Sequence, residues 1–150
     1  ILFWPYVQGV KQFYSYNPHD DLNAFTSVVH NYVDDGVLFS LYPLVLQGGL
    51  KLDLNLSMEL YGFLTDLDDD KANYHHLSTI NDVNNKINKK YYSGILISNR
   101  FRYINKNMSR ILLPHYSELM KSILNNYYLV DTYHGTSHGL GEVDIYLALE

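Results

Sequence analysis

The chain has 150 residues, of which 47% are apolar and 18% charged. That is enough to bury the core of one domain or two small subdomains, and too apolar for a disordered chain. The 11 Lys+Arg and 16 Asp+Glu give a net charge of -5, so the whole molecule does not read as a generic polyanion binder, and the lack of cysteine excludes a disulfide scaffold, a thiolate zinc site and a cysteine nucleophile.

No apolar run reaches the roughly 18 residues of a membrane helix. Ile1–Gly9 lacks the basic start and small-residue cleavage site of a secretory signal, so neither feature is expected. Residues 1–18 form an aromatic arm (Phe3, Trp4, Tyr6, Phe13, Tyr14, Tyr16). Asn17-Pro18-His19-Asp20-Asp21 is a helix start, with carboxylates where the N-terminal dipole favours them. Leu22, Phe25, Val28, Val29 and Tyr32 follow with helical period, and Asp34-Asp35-Gly36 ends the helix. Val37–Leu46 reads as a strand whose Pro43 suits an edge or bulge, followed by a turn at Gln47-Gly48-Gly49.

Residues 50–61 alternate like a strand, yet they lack Val, Ile and Thr and are rich in helix formers. Gly62 stands where a C-cap belongs, and a helix is expected. Asp66–Asp70 reads as an acidic turn, and Asn73–Lys90 as a polar stretch with Leu77, Ile80, Val83 and Ile87 spaced for a marginal helix. Tyr91–Ile97 is a short strand, and Arg100–Ile104 continues extended. Tyr116–Asn126 is a helix with Leu119, Met120, Ile123 and Leu124 as its apolar stripe. Tyr127–Thr132 and Val143–Leu149 are strands joined by the Gly-rich loop His134–Gly141.

The net charge hides a partition. Residues 1–82 hold eleven acids and three bases, and residues 118–150 hold five acids and one base. Residues 83–117 hold no acid and seven bases: Lys86, Lys89, Lys90, Arg100, Arg102, Lys106 and Arg110. Tyr91, Tyr92, Phe101, Tyr103 and Tyr116 lie among them. Bases set among planar rings suit phosphate neutralisation with stacking on ribose or base, although a solvated basic face has the same composition.

Enzymatic patterns are weak. Tyr133-His134-Gly135-Thr136-Ser137 resembles the histidine strand of ADP-ribosyltransferases, but only thirteen residues follow for the tyrosine strand and glutamate such chemistry needs. An enzyme fragment of that type is a remote alternative. His134 and His138 could share a metal only on a helix, and they sit in a Gly-rich loop. Asp68-Asp69-Asp70 lacks the alternation of a calcium loop, and no nucleophile elbow or phosphate loop occurs. No catalysis, cofactor, metal or small-molecule substrate is therefore expected. A Gly/Thr/Ser loop near a basic block can instead offer hydroxyls and backbone N–H groups to folded RNA.

The order of elements over about 20 to 150 resembles the eighth protein of the small ribosomal subunit, the S-eight family. Pro18-His19-Asp20-Asp21-Leu22 is similar to its opening helix. Gly49-Leu50-Lys51-Leu52 leading to Tyr61-Gly62-Phe63-Leu64 is similar to its second helix, and Lys89-Lys90-Tyr91-Tyr92-Ser93-Gly94 to its basic strand. Ile104–Met108, Arg110–Leu113, Glu118-Leu119-Met120, Asp131–Gly135 and Leu140-Gly141-Glu142 resemble the later segments in the same order. Thr132 alone remains of a loop that carries three hydroxyls in the family, and residues 65–88 look like an enlarged linker.

The resemblance implies an α+β protein with two small α/β subdomains, helices packed on short mixed sheets. Its parts would be an arm (1–18), an N-terminal subdomain (19–70), a polar linker or insert (71–90) and a C-terminal RNA-binding subdomain (91–150). It implies binding to the central domain of small-subunit rRNA beside neighbouring ribosomal proteins. Lys89, Lys90, Arg100, Arg102, Lys106 and Arg110 would meet phosphates. Thr132, His134, Gly135, Thr136 and Ser137 would face the minor groove or a bulged base, with Glu142 bracing the loop. Abundant Asn and Tyr without Cys is the bias of an AT-rich genome, as in an organelle, a virus or an AT-rich microbe, and within the resemblance this bias and the acidic balance favour a mitochondrial ribosome. The alternative is a viral neck or tail protein that binds no RNA.

Overall fold

The computed structural model describes residues 18–40, 48–53, 68–98, 115–135 and 142–150. The expected arm, the strand beyond residue 40, residues 54–61 of the expected second helix and the extended run from Arg100 lie outside the described residues.

The class is α+β. Helix α1 (Pro18–His30) carries Asp20 and Asp21 in its first turn and turns Leu22, Phe25 and Val29 inward. Strand β1 (Leu38–Ser40) follows. Helices α2 (Asp69–Tyr74) and α3 (Ile80–Asn88) precede strand β2 (Gly94–Ser98). Helix α4 (Tyr116–Asn126) runs directly into β3 (Tyr127–His134), which pairs with β4 (Glu142–Ala148).

The four strands form one sheet in the order β1-β2-β4-β3. β1 is parallel to β2, with Phe39 opposite Ile95. β2 and β3 both run antiparallel to β4. Between Leu129 and Asp131 the register skips a residue, so Val130 is the extra residue of a bulge.

Side chains alternate across this sheet, and both faces are covered. On one face Phe39, Ile95, Ile97 and Tyr146 pack with Val83 and Ile87 of α3 and Leu119 and Ile123 of α4. On the other, Leu38, Leu96, Val143 and Ile145 pack with Leu22, Phe25 and Val29 of α1. Two tyrosines fasten α1 and the turn that follows it to β3. The Tyr133 hydroxyl donates to Asp21 Oδ1 at 2.6 Å, and the Tyr32 hydroxyl to Asp131 Oδ2 at 3.1 Å.

Residues 50–53 differ from the expected helix. Leu52 bridges Leu38 in parallel, with Leu38 N–H donating to the Lys51 carbonyl and Asp53 N–H to the Leu38 carbonyl. Leu50 and Leu52 are buried while Lys51 is exposed, so the alternation outweighs the helical propensity of Leu and Lys. The acidic turn also differs: Asp68 caps α2 by accepting from Lys71 N–H at 2.8 Å, and Asp69 and Asp70 open the helix.

Residues 71–90, read from sequence as a linker, form most of α2 and all of α3. Val83 and Ile87 lie fully buried in the core. A reciprocal capping box starts α3: Thr79 Oγ1 accepts from Asp82 N–H, and Asp82 Oδ2 accepts from Thr79 N–H. Gly36 lies after the end of α1, and its role is close approach: a Cβ there would fall 1.7 Å from Ser93 Oγ. Gly49, at φ 78, does take the left-handed conformation of a turn.

Candidate nucleic-acid interface

The end of α3 sets the position of the first two candidate lysines. Lys89 is the C-cap residue. Lys90 N–H donates to the Ile87 carbonyl and Tyr91 N–H to the Lys86 carbonyl, both at 2.9 Å, which is a Schellman closure. This closure holds Lys90 at φ 52, a conformation normally left to glycine. Lys89 is exposed. Lys90 Nζ donates to the Leu149 carbonyl and lies 3.4 Å from the Glu150 carbonyl.

At the far end of β4, His134 stands opposite Glu142, with Nδ1 3.2 Å from Glu142 Oε1 and both side chains exposed. Gly135 follows at the end of β3. Thr132, two register pairs inward, is half-buried and donates its hydroxyl to Asp144 Oδ1 at 2.9 Å. Its hydroxyl therefore serves a carboxylate that is 1% exposed.

A single RNA-facing surface would need the basic block and the hairpin side by side, and for Lys89 and Lys90 the sheet separates them. β2 is antiparallel to β4, so the chain entering β2 after Lys90 lies beside the end of β4, whereas His134 and Gly135 lie beside its start. Seven residues of strand put about 20 Å between these ends. The exit of β2 is at the other end. Ser98 pairs with Val143, next to Glu142, so the last residue of β2 stands at the His134 end. Arg100, Arg102, Lys106, Arg110, Thr136 and Ser137 themselves lie outside the described residues.

One cation of the basic block has an inward role. Lys86 Nζ and the Tyr92 hydroxyl both reach Asp53 Oδ2, at 2.6 and 2.9 Å. Asp53 and Tyr92 are buried, and Lys86 also lies 5.5 Å from the centre of the Tyr91 ring. Burial, then the neighbouring Asp53 carboxylate, push the Tyr92 phenol far above the usual tyrosine range. The single acid Asp53 between apolar Leu52 and Leu54 was the signal in the sequence, but its partners lie 33 and 39 positions away.

Among the described residues no group of three or more His, Asp or Glu side chains is placed to hold a metal ion, and no helix is long and apolar enough to cross a membrane. Comparisons of the chain with protein-family models, curated proteins and solved structures give no match.

Proposed function

We propose that the chain is a non-catalytic RNA-binding protein of the ribosomal type, gripping small-subunit rRNA at the end of the sheet formed by Ser98, His134, Gly135 and Glu142. The observation that supports this most is the exit of β2. Ser98 lies in register beside Val143, and the next twelve residues supply Arg100, Arg102, Lys106 and Arg110 without one acid. A cation run that follows in sequence a strand end beside Glu142 suits phosphate binding around an unpaired or bulged segment. The resemblance in element order supplies the specific partner, the central domain of small-subunit rRNA, and the composition supplies the mitochondrial setting.

The test is binding of the purified chain to that rRNA segment across a salt series. Affinity should fall linearly with log salt, and replacing Arg100, Arg102, Lys106 and Arg110 together by Gln should flatten the slope by about three to four units. An unchanged slope overturns the assignment.

A second reading, a structural protein of a viral neck or tail, is favoured by the other side of the sheet. β3 is the terminal strand of the described sheet, and it carries Tyr128 and Leu129 about half exposed. RNase treatment of native particles separates the two readings, because only an RNA-built particle falls apart.

A further inference from the structure

A cleft of about 470 Å³ opens between α2 and α3, and none of the contacts described above fills it. Its long wall is α3. Asp82, Asn85, Lys86 and Lys89 recur at i, i+3, i+4 and i+7, so they share the face opposite buried Val83 and Ile87. Asn73 of α2 and the following residues His76 and Leu77 form the opposite wall. A second Schellman closure fixes that wall: His76 N–H donates to the Asn73 carbonyl and Leu77 N–H to the Ala72 carbonyl, with His76 at φ 55.

Two of the charges are already engaged. Lys86 Nζ is held by Asp53, and Asp82 Oδ2 accepts from the backbone and hydroxyl of Thr79, each at 3.0 Å. The Asn73, His76, Asn85 and Lys89 side chains have no hydrogen bond or ion pair with another described residue. The cleft thus offers one free ammonium, two free carboxamides, an imidazole and the apolar Leu77 side chain. Its volume is in the range of small-molecule sites. A carboxamide supplies a donor and an acceptor side by side, the pattern that reads the edge of a base, and an ammonium is a point-charge partner for phosphate.

We propose that this cleft holds one ribonucleotide, its phosphate on Lys89 and its base over Leu77 with an edge on Asn73 or Asn85. The proposal deepens the RNA reading, and the choice of a ribonucleotide rests on it. Lys89, on the chain that enters β2 at the opposite end of the sheet from His134, then contacts a second point of the RNA rather than the same one. The nucleotide comes either free from solution or as an unpaired residue of bound RNA.

The test is a titration of the isotope-labelled full chain, followed through the backbone amides of residues 73, 76, 85 and 89. One arm uses the four nucleoside monophosphates, with inorganic phosphate and the nucleosides as comparators. The other uses an RNA hairpin with a single bulged nucleotide against its fully paired counterpart. Shifts at these amides with the monophosphates or the bulged hairpin, weakened about tenfold in both Asn85→Ala and Lys89→Ala, support the proposal. Asn85 is exposed on a helix, where alanine is favourable, so this variant keeps its fold.

Shifts with the monophosphates but no RNA binding support the cleft as a free-nucleotide site while the RNA reading fails. RNA binding unaffected by Asn85→Ala and Lys89→Ala overturns the cleft and leaves the RNA reading standing. No shift with any monophosphate or with the bulged hairpin overturns the proposal, and so does an equal response to inorganic phosphate alone.

Discussion

The Tyr92 hydroxyl donates to Asp53 Oδ2 at 2.9 Å, joining the entry of β2 to the extended segment beside β1. Lys86 of α3 shares the same oxygen, so three separate elements meet on one buried carboxylate. Tyr92→Phe should cost about 1.5–3 kcal/mol, the worth of a hydrogen bond to a charged group, read as a lower urea midpoint. Asp53→Ala should cost at least as much, because it leaves the Lys86 ammonium without its acceptor.

The same tyrosine predicts a pH dependence. Burial raises the Tyr92 phenol, with Asp53 adding to it, and burial raises Tyr127. The folded state therefore keeps protons that the unfolded state releases near the ordinary tyrosine value of about 10. Stability should be unaffected by these groups below that pH and should fall as pH rises above it. Denaturation midpoints between pH 8 and 11 check this, and Tyr92→Phe should reduce the loss.

Ile87→Ala tests whether residues 71–90 belong to the core. Ile87 is fully buried among Val83, Ile95 and Ile123, so the change should cost about 2–4 kcal/mol. A linker residue would show almost no change in the urea midpoint.

Lys90 occupies a left-handed position at φ 52, which costs a residue with a Cβ about 1 kcal/mol. Lys90→Gly should raise the thermal midpoint, provided that the exposed contact of Nζ with the Leu149 carbonyl contributes little. A drop in the midpoint would show that this contact outweighs the backbone strain.

Single charge changes should separate the roles of neighbouring lysines. Lys89→Ala should reduce the salt slope of RNA affinity by about one unit without loss of stability. Lys86→Ala should leave the slope unchanged and lower the urea midpoint, since its ammonium is held by Asp53.

Much of the element pattern was legible because it depends on local period. Leu119 and Ile123 face one side of α4, and Tyr116–Asn126 is helical within the bounds that spacing predicts. The turn at Gly48 and Gly49, the strand through Ile95–Ile97 and the hairpin strands of β3 and β4 were equally readable. Residues 50–53 were not, because Leu and Lys favour a helix until Leu38 supplies a parallel partner. The capping box at Thr79 and Asp82 was present in the sequence as a Thr-x-x-Asp signal before an apolar repeat, and it marks the start of α3 better than the marginal periodicity did.

Local spacing and the charge partition along the chain are properties of near neighbours, and the order of residues alone established them: the helix faces and the acid-free run, with the lack of cysteine read from composition. Which cations face solvent and which end of the sheet each one occupies depends on contacts between distant segments. The antiparallel pairing of β2 with β4 sends Lys89 and Lys90 to one end and the exit at Ser98 to the other, and the burial of Asp53 draws Lys86 inward. Strand direction and the burial of a charge are decided by how the segments pack, and that information is not carried by any short stretch of residues.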